Sequence, residues 1–177
     1  AKSRAVMIDI GSLNWSQINP DIFGSMIQAV VTPEHRGGMG MHYTSVPNIM
    51  KVIEPLFLDE LYDELKKSFD NKTKLQHLLN RLANIKIFDP ACGSGNFLIY
   101  AFSLFYDLYL NQIDQYDADY SRRDIPKLIV ENNLYGVDLD ERAVQLTQIA
   151  LFIKAMQLKG RRGAMPTYTH VVSAHFE

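Results

Sequence analysis

A glycine-rich segment between two apolar stretches constrains the fold of this chain more than any other feature. It reads Asp89-Pro90-Ala91-Cys92-Gly93-Ser94-Gly95-Asn96-Phe97. Apolar residues precede it at 85–88 and follow it at 98–110, which predicts a strand, a tight turn and a helix. Because the first N–H groups of a helix are unpaired, such a turn favours a small polar ligand with negative charge. The alternative is an ordinary turn that binds nothing.

Length and composition are typical of one soluble globular domain. The chain has 177 residues, of which 47% are hydrophobic and 21% are charged. No apolar stretch approaches the roughly 20 residues that cross a bilayer, and no membrane partner is expected. The single cysteine, Cys92, excludes an intrachain disulfide and predicts a cytoplasmic location. A net charge of −2 gives no support for nucleic-acid binding.

Residues 1–84 are predicted to form a helical N-terminal segment. Apolar side chains recur there at helical spacing. Three helices are predicted, over 21–30, from a cap at Thr44 or Ser45 to Leu65, and over 72–84. Pro55 is expected to kink or divide the second of them, because proline removes a helical hydrogen bond.

Residues 85–177 are predicted to form the first half of an α/β domain. Besides the strand at 85–88, strand patterns occur at 134–137 and 168–173, with helical patterns between them. This alternation predicts a parallel sheet of about three strands, because strands joined by helices run in the same direction. The polar segment 111–120 is predicted to be a surface loop.

Two of the predicted strands end in residues that suit a nucleoside ligand. Ligands bind at the carboxyl ends of parallel strands, where the glycine-rich segment and Asp138 are both expected. A carboxylate there accepts hydrogen bonds from both hydroxyls of a ribose, and Leu139 offers an apolar face to a base. The alternative role of Asp138 is to cap the next helix together with Asp140.

The motifs resemble those of a known enzyme family. The segment 88–98, FDPACGSGNFL, closely resembles the first cofactor motif of class I DNA adenine-N6 methyltransferases, and 135–143, YGVDLDERA, is similar to their second motif. The segment 42–44, HYT, is similar to a third motif of these methyltransferases. In the permuted class, which has the motif order seen here, that motif comes before the two cofactor motifs. The stretch 18–45 is further similar to the methylase portion of large type II restriction-modification enzymes.

The resemblance implies S-adenosyl-L-methionine as cofactor and a partial Rossmann-like class I methyltransferase fold, truncated before the later strands. Asp89 and Ala91 would lie beside the methionine moiety, and Tyr43 and Thr44 would close over its amino and carboxylate groups. The two glycines would approach the sulfonium and ribose, and the second motif would hold the ribose and the adenine. The implied cofactor-binding residues are Tyr43, Thr44, Asp89, Pro90, Ala91, Cys92, Gly93, Ser94, Gly95, Asn96, Phe97, Asp138 and Leu139.

The family's catalytic loop has no counterpart in this sequence. That loop contains a Pro-Pro pair beside an aromatic residue that stacks on the flipped base, and no two prolines are adjacent here. The resemblance therefore implies the N-terminal fragment of a larger site-specific DNA-methyltransferase, with no catalytic residue in this chain. DNA would bind through other parts of that enzyme. The chain alone is expected to be inactive and to self-associate through the edge of the strand at 85–88.

Three other functions stay open as alternatives. A methyltransferase that acts on RNA or on protein glutamine has similar cofactor loops. A nicotinamide-dependent oxidoreductase is disfavoured, because the third glycine of its motif would fall at Leu98. The non-enzymatic alternative is a regulatory domain that retains the fold. Cys92 is interpreted as a small residue in a tight turn rather than a nucleophile, and the five scattered histidines show no metal-ligand spacing.

Overall fold

The structure is a computed structural model that describes residues 2–19, 22, 44–113, 123–160 and 162–174. The helix predicted over 21–30, apart from Ile22, lies outside the described residues, and so does Tyr43. Helix α1 spans Lys2–Ser12, and a turn of 3₁₀ helix follows at Trp15–Gln17. Within the described ranges, every helix is too short or too polar to cross a bilayer.

A helical stretch with a proline in its middle leads towards the sheet. Helix α2 is Val46–Ile53, with Ser45 at its N-cap position, and helix α3 is Asp59–Ser68. Between them Glu54–Leu58 forms a turn of π-helix. Pro55 has no N–H to donate to the preceding turn, which explains the wider turn at this position. Pro55 was predicted to kink or divide this helix. In the structure it lies in a wider π-helical turn that separates α2 from α3.

Helix α4 has the bounds that its apolar spacing predicts. It spans Lys72–Asn84, and the Asn71 side chain caps it by accepting a hydrogen bond from Lys74 N at 3.0 Å. Its four leucines are buried, Leu75, Leu78, Leu79 and Leu82. Ile85 still donates its N–H to carbonyls of the last helical turn, and for this reason the first strand begins later than predicted.

Three parallel strands form one sheet in the order β1-β2-β3. They are β1 at Ile87–Asp89, β2 at Leu134–Asp138 and β3 at His170–Ser173. Phe88 pairs with Tyr135, and Tyr135 pairs with His170. The predicted fold, a three-stranded parallel sheet preceded by a helical segment, is confirmed.

Helices connect the strands and cover one side of the sheet. Helix α5 is Asn96–Ile113, helix α6 is Ile125–Leu128 with a π-helical turn after it, and helix α7 is Glu141–Leu158. Helix α5 packs against β1 and β2, and α7 packs against β2 and β3. The prediction of a surface loop over 111–120 is wrong at its start, because α5 continues through Ile113 and buries Gln112. The rest of that predicted loop, 114–120, lies outside the described residues.

The two faces of the sheet differ in burial. Ile87, Leu134 and Val171 point into the hydrophobic core and are at most 6% exposed. Phe88 and Val172 point the other way and are 58% and 54% exposed. Within the described sheet, β1 is hydrogen-bonded to a neighbour on one side only. The self-association expected from this edge stays a prediction.

Candidate functional site

The glycine-rich segment turns the chain from the end of β1 into the start of α5. Gly93 and Gly95 have positive φ angles of 53° and 82°, which residues with a Cβ rarely adopt. The turn is fixed to the neighbouring strand, because Cys92 N donates a hydrogen bond to Val137 O at 3.0 Å. The residues between β1 and α5 therefore lie at the carboxyl ends of both strands.

Asp138, the last residue of β2, binds this glycine turn directly. Its Oδ2 accepts a hydrogen bond from Gly93 N at 2.8 Å, and its Oδ1 accepts one from Asp140 N at 2.9 Å. Asp140 is the N-cap of α7, and its side chain accepts a hydrogen bond from Arg142 N. Because a carboxylate has about four acceptor sites, Asp138 retains acceptor capacity for a ligand.

The two glycines of the turn are required for different physical reasons. A Cβ at Gly93 would meet no atom within 4 Å, so only its backbone conformation demands glycine. A Cβ at Gly95 would lie 2.6 Å from Cγ2 of Thr147 on α7, which is a severe overlap. The Thr147 hydroxyl also donates a hydrogen bond to Gly93 O at 2.9 Å. Sequence reasoning missed Thr147, because helical spacing alone does not show which residue touches the turn.

A cavity of about 350 Å³ lies beside the glycine turn. Its volume is within the range of about 300–1,000 Å³ that small-molecule sites have. Nine predicted cofactor residues line it, Thr44, Asp89, Pro90, Ala91, Cys92, Gly93, Ser94, Asn96 and Phe97. Three others do not line it, Gly95, Asp138 and Leu139. The remaining predicted residue, Tyr43, lies outside the described residues.

Two apolar residues of the helical segment also line the cavity and were not predicted to do so. Val52 in α2 and Leu56 in the π-helical turn are 53% and 69% exposed. Ile49 and Ile53 are buried in the core, so the core and the cavity use different faces of one helical stretch. The sequence of this helical stretch contains more apolar residues than one buried helical face needs, which could have indicated a second apolar surface. The pattern does not tell which of the two faces packs into the core.

The cavity is lined by a carboxylate, and one of its lining residues has a buried amide oxygen without a partner. Burial raises the pKa of Asp89, a hydrogen bond from Ala91 N at 3.1 Å lowers it, and the nearby Asp138 charge raises it. Oδ1 of Asn96 is buried and has no hydrogen-bond partner. In the described ranges, no cluster of His, Cys, Asp or Glu suits a metal ion. These side chains favour a ligand with positive charge and a hydrogen-bond donor.

More than half of the chain matches a known protein family. The family described as "MmeI, DNA-methyltransferase domain" matches residues 65–169, which contain β1, the glycine turn, β2 and α7. The chain belongs to the MmeI DNA-methyltransferase family. The recognition of a DNA methyltransferase from the motifs at 88–98 and 135–143 is therefore confirmed.

Relatives of this MmeI-family chain are DNA methyltransferases. DNA methyltransferase A of Bacillus subtilis (strain 168) is 46% identical over 159 residues, which cover 89% of this chain and 18% of that protein. Adenine-specific methyltransferase BrxX of Escherichia coli O9:H4 (strain HS) is 43% identical over 74 residues, 42% of this chain and 6% of that protein. The solved structure of the Type IIL restriction-modification enzyme MmeI in complex with DNA has a TM-score of 0.77 and 34% identity, over 97% of this chain and 25% of that chain.

Cys92 is a buried structural residue of the MmeI-family turn. It is 5% exposed, and a Cβ on Gly136 of β2 would lie 3.3 Å from its Sγ. Burial raises the pKa of the Cys92 thiol to about 12, the charges of Asp89 and Asp138 add to this, and the polar side chain of Thr147 opposes it.

Alkylation kinetics test this interpretation of Cys92. Only the thiolate is nucleophilic, so iodoacetamide at pH 8 is expected to modify native Cys92 about 1,000-fold more slowly than the same residue in urea. Peptide mass spectrometry of the full-length protein measures both rates. Equal rates in the native and unfolded states would contradict a buried thiol.

Proposed function

We propose that this chain is the cofactor-binding part of a site-specific DNA (adenine-N6) methyltransferase of a restriction-modification system. The observation that carries the proposal is the cavity lined by Thr44 and the glycine turn, with Asp138 bonded to the same turn from β2. Membership in the MmeI family supports DNA as the substrate of the whole protein. The adenine-specific methyltransferase BrxX among the relatives supports adenine as the target base.

The residues around the cavity fit S-adenosylmethionine. The Asp89 carboxylate suits the cationic ammonium and sulfonium groups of that molecule, and the unpaired Oδ1 of Asn96 suits a hydrogen-bond donor. Free space beside Gly93 allows a ligand to approach the main chain. Once bound, the cofactor supplies an electrophilic methyl group.

The methionine end of the cofactor is proposed to lie on the side of β1. Asp89 and Ala91 would bind there, and Thr44 would close over the amino and carboxylate groups together with Tyr43. The apolar side chains of Val52 and Leu56 line the same cavity and would exclude water from it.

The nucleoside end is proposed to lie towards β2. Gly93 lets the backbone approach the ribose, and Asp138 has acceptor capacity for the ribose hydroxyls beyond its two backbone bonds. Leu139 is 70% exposed and offers an apolar surface on which adenine can pack.

The catalytic step is proposed to depend on parts of the protein outside this chain. The family's loop for the target amine contains a Pro-Pro pair, and no two prolines are adjacent in the 177 residues. The chain spans 18% of the length of the Bacillus subtilis relative, which leaves ample length for a catalytic loop and for DNA contacts. We expect the isolated chain to transfer no methyl group, and the whole enzyme to act in the cytoplasm.

Calorimetry and a methyl-transfer assay test the proposed function. The full-length protein is expected to bind S-adenosylmethionine, not NAD, with a Kd of about 1 μM to 1 mM and to produce N6-methyladenine in DNA, detected by nucleoside mass spectrometry. The isolated chain is the control and is expected to give no product.

Preference for NAD would overturn the cofactor assignment. Methylation of RNA or of protein glutamine alone would overturn the substrate, and a protein without cofactor binding would favour the non-enzymatic alternative.

A further inference from the structure

Thr147 is a fully buried polar residue whose hydroxyl bonds outside its own helix. It lies in the middle of α7 and is 0% exposed. A buried helical Ser or Thr often donates its hydroxyl to a carbonyl four residues earlier, as Ser68 does to Glu64 O at 2.6 Å. The Thr147 hydroxyl instead donates to Gly93 O at 2.9 Å, 54 residues away in sequence.

The hydroxyl and the methyl group of Thr147 have separate contacts with the glycine turn. The hydroxyl binds Gly93 O, while Asp138 accepts the hydrogen bond of Gly93 N on the other side. Both peptide groups that flank Gly93 are therefore held, which stabilises its positive φ of 53°. The methyl carbon Cγ2 occupies the space beside Gly95, where a Cβ would lie only 2.6 Å from it.

Thr147 itself does not line the cavity, although the turn that it holds does. We propose that Thr147 is a positioning residue that keeps Gly93 in the ligand-binding conformation without touching the ligand. The inference rests on the proposed function in naming S-adenosylmethionine as the ligand. The hydroxyl determines the orientation of the turn, and the methyl group contributes packing.

Two substitutions in the full-length protein separate these contributions. Thr147→Val keeps the shape and removes the hydroxyl, so the Kd for S-adenosylmethionine is expected to rise about fivefold, which is the loss of one net hydrogen bond. The KM for the cofactor should rise similarly, while kcat and the KM for DNA stay within about twofold. Thr147→Ser keeps the hydroxyl and is expected to retain wild-type affinity at a lower Tm, because only packing is lost. Thr73→Val, on the exposed side of α4, is the matched control and should change nothing.

Hydrogen exchange makes the test independent of the cofactor. In ligand-free protein, peptides that cover residues 91–97 are expected to exchange about fivefold faster in Thr147→Val than in wild type, and at the wild-type rate in Thr147→Ser. Unchanged exchange and affinity in the valine variant would overturn the inference, as would an equal loss in the serine variant. If no variant and no wild-type protein binds S-adenosylmethionine, the proposed function fails, and the exchange rates alone still decide the role of Thr147.

Discussion

Replacing Asp89 by asparagine is expected to weaken S-adenosylmethionine binding about 30-fold and to raise the free energy of unfolding at neutral pH. A hydrogen bond between a carboxylate and a cationic group contributes about 2 kcal/mol, and asparagine removes that charge. Burial raises the pKa of Asp89, so the folded chain carries the ionised carboxylate at a cost that asparagine does not have. Isothermal calorimetry and urea unfolding of the full-length protein measure the two effects.

The pH dependence of the stability difference gives a second measurement on the same variant. Since the folded-state pKa of Asp89 lies above the unfolded-state value, its contribution to stability is complete below the unfolded-state pKa and is lost as pH rises through the folded-state pKa. Asparagine does not titrate. The gain in free energy of unfolding from Asp89→Asn should therefore grow as pH rises from the unfolded-state pKa of Asp89 to its folded-state pKa. It should stay constant at higher pH.

A surface aspartate is the control for Asp89→Asn. The Asp63 side chain is 64% exposed and pairs weakly with Lys66 at 3.7 Å. Asp63→Asn is expected to change neither the cofactor affinity nor the free energy of unfolding at neutral pH, because exposed ion pairs contribute little. Wild-type affinity in Asp89→Asn would show that this carboxylate does not contact the cofactor.

Alanine at the two glycines of the turn is expected to separate stability from binding. Gly95→Ala should lower the free energy of unfolding by about 3 kcal/mol, because its positive φ is strained for alanine and the new Cβ overlaps Thr147. Gly93→Ala meets no atom within 4 Å and should cost about 1 kcal/mol of backbone strain. The Cβ at position 93 is added to the lining of the cavity, so the affinity for S-adenosylmethionine should fall more than the stability does.

Urea unfolding and calorimetry of both alanine variants measure this difference. Gly11→Ala is the matched control, since Gly11 lies in α1 with no atom within 4 Å of its Cβ position. It should be neutral or slightly stabilising, because alanine favours a helix more than glycine does. Equal destabilisation by Gly93→Ala and Gly95→Ala would contradict the packing reason given for Gly95.

Local patterns predicted the elements of the fold well where one physical signal dominated. Helix α4 has its predicted bounds because its N-cap, Asn71, and the spacing of its buried leucines both favour a helix over the same residues. The strands β1, β2 and β3 lie within one or two residues of the predicted stretches. The start of β1 differs, because the N–H of Ile85 still belongs to the preceding helix, a detail of hydrogen bonding that hydrophobicity does not encode.

The candidate site was predictable where its residues are adjacent in sequence and unpredictable where packing creates it. The turn at 89–97 and its proximity to Asp138 follow from the order of strands and helices. The cavity walls at Val52 and Leu56 depend on how α2 and the π-helical turn after it are rotated against the core. The contact of Thr147 with the glycine turn depends on how α7 is placed on the sheet. Neither orientation is determined by periodicity alone.

The two hydrogen bonds to Gly93 also determine when this site can form during protein synthesis. Asp138 accepts one of them and Thr147 donates the other, and these residues follow Gly93 by 45 and 54 residues. A nascent chain therefore contains the complete glycine turn well before it contains the groups that hold it, and long-range contacts of this kind form late in folding. Under the proposed function, S-adenosylmethionine would therefore bind only those chains in which β2 and α7 have already folded onto β1.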